Sequence, residues 1–256
     1  MKVFCAAVLF IVSFTFARTT SASEGGERER AFVNALTMYD GAKSPREFRN
    51  AAAAFEALIS PEYRNDPLFY NMGNARVKAG DYGYAILAYR KAKLFRPRDP
   101  WLEANLNQAL SAAPGRVQAA PEPWWRSVFF WSGWLSYPEK FNLALGLWSA
   151  CVAALALGAV LRKPRLNWAG LALGLVALLF SIDAYSAHRD LYSSNHAAVI
   201  AETIAQKSPG PNGDAAFDQP LKDGAEFTII DRRGDWVFGH FHGIGDAWLP
   251  SKNIAE

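Results

Sequence analysis

The sequence predicts a multi-domain protein with an all-α region, a two-helix transmembrane hairpin and a small all-β barrel, in that order. Three observations indicate this fold class. A helical period with few β-branched residues extends to about residue 114, two uncharged apolar runs occupy the middle of the chain, and the period changes to that of strands after residue 195. Each observation marks one part of the chain, and their limits give the domain boundaries.

The two apolar runs, at residues 141–161 and 166–182, predict two membrane helices. Neither run contains a charged residue, and a helix needs roughly 17 to 25 apolar residues to cross the bilayer core. The turn between them, residues 162–165, reads Arg-Lys-Pro-Arg, and short basic loops stay in the cytoplasm. We therefore expect a hairpin over residues 138–186 with a cytoplasmic turn, so that both flanking regions lie outside.

The first 22 residues have the order of a secretory signal peptide. Lys2 precedes an apolar stretch at residues 3–16, and a tract of small residues follows, with cleavage expected after Ala22. An uncleaved anchor is the alternative. Because both versions export the following region, the topology does not depend on which is right.

The overall composition averages over unlike parts. The net charge of +3 and the 51% hydrophobic residues describe neither a nucleic-acid-binding protein nor an ordinary soluble domain, because the apolar excess comes mostly from three short segments. Cys5 and Cys151 are the two cysteines, and both lie in apolar segments. The exported regions therefore form no intrachain disulfide and fold by packing alone.

Residues 23–114 carry a helical repeat with a period of 34 residues. Ala-rich stretches favour helix, and prolines divide the region into pieces of helix length. The clearest copy spans residues 66–99, and its packing positions hold Phe69, Met72, Gly73, Ala85, Tyr89, Ala92 and Pro97. This pattern resembles the tetratricopeptide repeat, in which small residues let two antiparallel helices approach closely. A weaker copy precedes it, with a first helix near residues 27–39, and a capping helix is expected at residues 101–112.

Four polar residues form the candidate binding groove of this repeat region. Tyr70, Asn74 and Lys78 share one helix face at a spacing of four residues, and Asn105 projects from the next helix. The resemblance implies that Asn74 and Asn105 hold the backbone of an extended peptide, because an amide side chain both donates and accepts. Tyr70 replaces the lysine of carboxylate-clamp versions, which argues against recognition of a free C-terminus. The alternative is that these residues are exposed and bind nothing.

The second helix of the clearest repeat carries a cationic series at residues 90–98. Charged residues at such spacing are typical of a solvated helix face, so we expect this series to form the exposed back of the repeat.

Residues 115–137 are expected to form a linker and an interfacial aromatic segment. Residues 124–136 contain four tryptophans, two phenylalanines and one charge, directly before the first membrane helix. Aromatic rings with polar tips favour the lipid headgroup layer. A helix that docks onto another subunit is the alternative. At the outer edge of the second span, Asp183 is predicted to be solvated.

Residues 195–256 are predicted to contain short strands at 197–200, 226–230, 236–241 and 246–250, separated by Asp and Gly turns. About sixty residues of short strands indicate a small barrel. A tryptophan after a charged turn, Trp236, and another in a final strand, Trp248, make this region similar to a bacterial SH3 domain. Both tryptophans are its candidate binding or core residues.

Catalytic and cofactor signatures do not emerge from the sequence. It contains no nucleophile elbow, no paired acids and no glycine-rich phosphate loop before a helix. His240 and His242 share one strand face, but no third ligand lies at a supporting spacing, so we expect surface residues and no metal site. We interpret the chain as a non-enzyme without a cofactor.

The order of these parts resembles the BatE-type proteins of bacterial aerotolerance operons. The resemblance implies a protein of the bacterial cytoplasmic membrane, with both soluble domains on the periplasmic side. It also implies two partners, membrane proteins with von Willebrand A domains and a MoxR-type ATPase. The expected function is a membrane-anchored scaffold that binds protein partners in envelope stress or oxygen tolerance. The alternative is a cell-envelope-binding protein whose SH3-like domain grips peptidoglycan peptides.

Overall fold

The computed structural model describes residues 21–115, 127, 129–192, 195–211 and 213–256. Within these ranges the chain forms seven α-helices, two of them long and apolar, and an antiparallel sheet of five strands. The predicted order of a helical region, two apolar helices and a small β region is confirmed. Residues 1–20 of the predicted signal at 1–22, and residues 116–126 of the predicted linker and aromatic segment at 115–137, lie outside the described residues.

Five helices form the N-terminal helical region, and local sequence sets their ends. Ser44, Asn65 and Asp99 each accept backbone N–H bonds at a helix start, and each is followed by a proline in the first turn. Gly80 adopts a left-handed conformation that ends one helix. The bounds are α1 Ser21–Gly41, α2 Pro45–Glu56, α3 Asp66–Ala79, α4 Tyr82–Phe95 and α5 Pro100–Ala112.

Helices α3 and α4 pack at close range. A Cβ atom on Gly73 would lie 2.6 Å from the ring of Tyr89, and Ala85 is fully buried. The space between the helices is filled by large side chains, so any larger residue at Gly73 would displace the ring. Five of the seven residues predicted to pack here are buried: Phe69, Gly73, Ala85, Tyr89 and Ala92. Met72 is half-buried, and Pro97 follows the end of α4.

Two long helices, α6 Tyr137–Leu161 and α7 Pro164–Tyr192, form a hairpin. Both are long and apolar enough to cross a membrane, and only 17% and 22% of their most apolar windows are buried in the protein. A core helix of a soluble protein would be mostly buried. Their exposed apolar surface therefore suits a lipid environment.

The hairpin seam is built from small residues at intervals of seven. A Cβ atom on Gly170 would lie 2.8 Å from the side chain of Leu155, which shows how closely the helices approach. Small residues at this spacing let two apolar helices bring their backbones together. The buried seam residues are Ala144, Cys151 and Gly158 on α6, and Gly170, Ala177 and Ala184 on α7.

The C-terminal sheet has the strand order β4-β3-β2-β1-β5, and every pair is antiparallel. Phe227, Phe241 and Leu249 are buried in its core. The four predicted strands are confirmed within a few residues, and a short fifth strand follows a 3₁₀ turn. The bounds are β1 His196–Val199, β2 Glu226–Arg233, β3 Trp236–Phe241, β4 Gly245–Pro250 and β5 Ile254–Ala255.

The sheet packs directly on α4 through a remote helix cap. The carboxylate of Asp223 accepts the backbone N–H groups of Tyr82 and Gly83 at 2.7 and 2.9 Å. Within the described chain, Asp81 at the N-cap position makes no side-chain capping bond. A residue about 140 positions later in sequence therefore satisfies the first turn of α4. Beside this cap, an apolar cluster is buried between the two regions: Leu87, Ala198 and Ala255.

The cationic side chains of α4 are partly exposed, as predicted, with 46% of the Arg90 side chain accessible, but two of them also contact the C-terminal region. Arg90 forms a two-pronged ion pair with Glu226 of β2, with Nη2 and Oε2 2.7 Å apart. The Nζ of Lys91 donates to the backbone oxygen of Glu256 at 3.1 Å. These partners follow 136 and 165 residues later, so no local pattern reveals them.

The end of the hairpin opposite its turn, which we call the outer end, also contacts the helical region. Arg98 pairs with Glu139 at 2.7 Å, and the hydroxyl of Tyr192 donates to the carbonyl of Pro61 at 2.8 Å. Leu191, in the last turn of α7, is buried in the same apolar cluster as α4 and α5. The helical region therefore rests on the hairpin as well as on the sheet.

Candidate functional site

A concave cavity opens on one face of the helical region. Its volume is about 370 Å³, and side chains from α1, α3, α4 and α5 line it. Three of the four predicted groove residues, Asn74, Lys78 and Asn105, lie in its wall, and Tyr70 lies beside it. The full lining consists of Tyr39, Asn74, Val77, Lys78, Tyr89, Asn105 and Gln108.

An amide network crosses this cavity. The Nδ2 of Asn105 donates to the hydroxyl of Tyr70 at 3.0 Å and to the Oδ1 of Asn74 at 3.2 Å. The hydroxyl of Tyr89 donates to the same Oδ1 at 2.8 Å. Within the described chain, the Nδ2 of Asn74 and the Oδ1 of Asn105 have no hydrogen-bond partner. One donor group and one acceptor therefore remain for a ligand.

The cavity carries one positive charge and a protonated phenol. Lys78 is exposed and forms no ion pair within the described residues. Burial raises the pKa of Tyr89, so its hydroxyl stays protonated and donates to Asn74. An amide donor, an amide acceptor and an ammonium group together suit the backbone of an extended peptide with a nearby acidic group.

Two contributions to this site were missed by the sequence interpretation. Tyr89 was assigned to packing alone, although its hydroxyl fixes the orientation of Asn74. Gln108 was not considered, although it lies three residues after Asn105 on the same helix face. The exposed Trp101, 76% accessible and four residues before Asn105, extends that face. Helical spacing from Asn105 would have found both of these α5 residues.

The two tryptophans of the sheet differ in exposure. Trp248 is only 6% exposed, and its ring lies 5.0 Å from that of Phe238. The guanidinium of Arg233 covers it at 5.1 Å from the ring centroid. Trp236 is half-buried in β3. Trp248 is therefore a packing residue of the sheet, and Trp236 is the more accessible of the two.

Of the two histidines near the end of β3, His240 pairs with a carboxylate, and His242 follows the strand. His240 Nδ1 lies 2.5 Å from the carboxylate of Asp246, and the rings of His240 and His242 are 6.5 Å apart. Over the part of the chain that the structure describes, no group of three or more His, Cys, Asp or Glu residues is arranged to hold a metal ion.

The prediction that Asp183 is solvated is wrong. Its side chain is 5% exposed, and its Oδ1 lies 3.1 Å from the Nζ of Lys140. The hydroxyl of Ser132 donates to the same oxygen at 2.6 Å. Trp131, from the same aromatic segment, stacks on Phe180 at 5.1 Å. The described part of the aromatic segment is thus packed onto the outer end of the hairpin around a buried ion pair.

Comparison with protein-family models, with curated proteins and with solved structures gives no match.

Proposed function

We propose that this protein is a membrane-anchored scaffold that binds an extended segment of a protein partner in the cavity of its helical region. The observation that carries the proposal is the pair Asn74 and Asn105, which meet across the cavity and keep one amide donor and one amide acceptor unused. Lys78 adds an unpaired cation at the same wall. Peptide backbones offer the complementary acceptor and donor, so no cofactor or enzymatic role is needed.

We propose tetratricopeptide repeats for the helical region and an SH3-like fold for the sheet. The spacing of the repeat motif and the close approach at Gly73 support the first assignment. The antiparallel pairing of short strands and the placement of Trp236 and Trp248 support the second. The combination of these regions with an apolar hairpin supports a relationship to BatE-type proteins, with von Willebrand A proteins and a MoxR-type ATPase as the proposed partners.

The proposed topology places the turn at residues 162–165 in the cytoplasm and both other regions in the periplasm. The basic turn supports this orientation. A reporter enzyme that is active only outside the cytoplasm should work when fused after residue 114 or after residue 256, and it should fail when inserted at Lys163. Activity at Lys163 with none at the other two positions would reverse the topology.

The binding proposal is tested with the double variant Lys78→Glu/Asn105→Ala. It reverses the free charge of the cavity and removes the unused acceptor, while Asn74 keeps its bond to Tyr89. Partners crosslinked in native membranes are identified for the wild type, and their affinity is then measured. We expect the variant to weaken binding by roughly tenfold or more, because hydrogen bonds to charged groups are among the stronger contacts.

The matched control is Lys43→Glu/Asn107→Ala, which makes the same changes at exposed positions outside the cavity. It should bind as the wild type does. If both double variants keep full affinity, the cavity is not the partner site. If Trp236→Ala alone abolishes association with purified peptidoglycan while the cavity variant has no effect on any interaction, the envelope-binding alternative replaces the scaffold.

A further inference from the structure

A second cavity, of about 240 Å³, lies where the helical region, the hairpin and the sheet meet. Its walls come from α4, from the segment before α6, from both hairpin helices and from the start of β1. The charged side chains in its lining, apart from His196, are four cations and one carboxylate: Arg90, Lys91, Lys93, Lys140 and Asp190. We refer to it as the junction cavity.

Three of these cations form ion pairs with carboxylates outside the lining, and the fourth, Lys91, does not. Arg90, Lys93 and Lys140 each pair with a carboxylate outside the cavity lining. Lys91 has no carboxylate partner among the described residues, and its Nζ donates to a backbone oxygen at 3.1 Å. Burial lowers the pKa of Lys91, and the positive charge of Arg64 lowers it further. Lys91 is thus a partly desolvated ammonium group without a direct side-chain ion pair, and carboxylates act on it only at longer range, from Asp190 in the lining and from Glu56 and Glu256.

The position of the junction cavity suggests the kind of anion that would balance this charge. One wall is formed by residues 132–135 and by Lys140 in the first turn of α6. The apolar surface of the hairpin begins next to it. If the hairpin spans the membrane, this is the depth of the lipid headgroups, where phosphates are the main anions.

We infer that the junction cavity binds a phosphate-bearing anion, with Lys91 as its principal contact and Arg90 and Lys93 lending further positive charge. In the membrane the source would be the headgroup of an anionic phospholipid, and in solution it would be inorganic phosphate. The inference uses the membrane location of the proposed function but not the partner-binding cavity. The two sites can therefore fail independently.

The test uses the purified full chain. In the lipid arm, the protein is reconstituted in nanodiscs with equal amounts of phosphatidylglycerol and phosphatidylethanolamine, and retained lipid is counted by native mass spectrometry. In the phosphate arm, the lipid-free protein in detergent is titrated with inorganic phosphate and its thermal transition is followed. The variants are Lys91→Met, Lys91→Arg, Asp190→Asn and, as a control at an exposed lysine, Lys43→Met.

We expect the wild type and Lys43→Met to retain phosphatidylglycerol in preference to phosphatidylethanolamine. In Lys91→Met this preference should be about tenfold weaker. Lys91→Arg should restore it, and Asp190→Asn should strengthen it, because one opposing charge is removed. Lys91→Met should be at least as heat-stable as the wild type, since it removes a desolvated charge. A merely structural lysine would give neither the gain at Asp190→Asn nor the rescue by arginine.

The two arms separate the sources of the anion. A preference for the anionic lipid that depends on Lys91 identifies the headgroup as the ligand. A Lys91-dependent thermal shift with phosphate, without any lipid preference, identifies a soluble phosphate instead. If Lys91→Met matches the wild type in both arms, the inference is overturned, whether or not the Lys78→Glu/Asn105→Ala variant has lost its partner.

Discussion

Asn74 is a proposed binding residue that also takes part in packing. Its Oδ1 accepts from the hydroxyl of Tyr89 at 2.8 Å and from the Nδ2 of Asn105 at 3.2 Å. Tyr89 is 2% exposed, so its hydroxyl has little access to water if Asn74 is removed. The residue that presents an amide donor to the cavity is therefore also the partner of a buried phenol.

This double role predicts that Asn74→Ala destabilises the helical region. The buried hydroxyl of Tyr89 would lose its acceptor, which costs about 1–3 kcal/mol of the free energy of unfolding. Tyr89→Phe should recover much of this loss in the Asn74→Ala background, because no hydroxyl is then left unpaired. Chemical denaturation of the two single variants and the double variant measures the coupling. Additive costs would show that the two side chains do not depend on each other.

Arg76 shows how a departure from the repeat pattern can have a structural reason. In the tetratricopeptide pattern that the sequence resembles, this position usually carries a bulky apolar or aromatic residue. Here the guanidinium of Arg76 lies 4.1 Å from the ring centroid of Tyr84 and pairs with Glu56 and Asp81 at 2.8 and 3.3 Å. It thus links α2, the turn after α3 and α4. The planar cation replaces an apolar contact by stacking and adds charge pairing.

At the scale of secondary-structure elements, the hairpin depends on the small residues of its seam. Gly170 lies against the side chain and backbone of Leu155, with contacts of 2.8 and 3.2 Å from the position of a Cβ atom. Gly146, on α6, has nothing within 4 Å of the same position. The two glycines therefore provide a matched pair that differs only in the helix contact.

We expect Gly170→Leu to force the helices apart and to destabilise the hairpin by about 1–3 kcal/mol, the usual cost of overpacking. Gly146→Leu should be tolerated, because its side chain would face open space. Thermal unfolding of both variants in detergent, followed by circular dichroism, makes the comparison. Equal transitions for the two variants would show that the seam does not hold the hairpin together.

The accuracy of the sequence predictions follows the range of the interactions behind them. Capping residues, prolines and apolar runs act locally, so the capping helix and four of the strands were predicted within a few residues of their observed bounds, and both apolar runs lie within the hairpin helices. Asp183 was placed wrongly in solvent, and the ion pair of the exposed Arg90 was not foreseen, because their partners are 43 and 136 residues away. The repeat spacing placed Asn74 and Asn105 on facing helices. It could not show that the phenol of Tyr89 also enters the network.

At the scale of the whole molecule, the sheet and the hairpin are both held against the helical region by hydrogen bonds and ion pairs. Asp223 caps α4 from the sheet side, and Arg98 pairs with Glu139 of the hairpin. The helical region and the sheet are therefore joined to each other and to the outer end of the hairpin. For the proposed scaffold, this means that the partner-binding cavity is held in one orientation relative to the membrane and does not swing on a linker.

Asp223→Ala should loosen the sheet from α4. The substitution leaves the N–H groups of Tyr82 and Gly83 without their acceptor and should cost about 1–3 kcal/mol. Hydrogen exchange should accelerate at the start of α4 and in β1, whereas the exposed control Asp218→Ala should change neither.

The cost of Asp223→Ala should also depend on pH, because burial raises the pKa of the Asp223 carboxyl. A group whose folded-state pKa is raised contributes most stability in acid and loses part of it as the pH rises through that value. The difference in unfolding free energy between wild type and Asp223→Ala should therefore be larger in mild acid than at neutral pH, and Asp218→Ala should show no such trend. A difference that grows towards neutral pH would mean that the ionised carboxylate is the better cap, and that the two hydrogen bonds to α4 outweigh its burial.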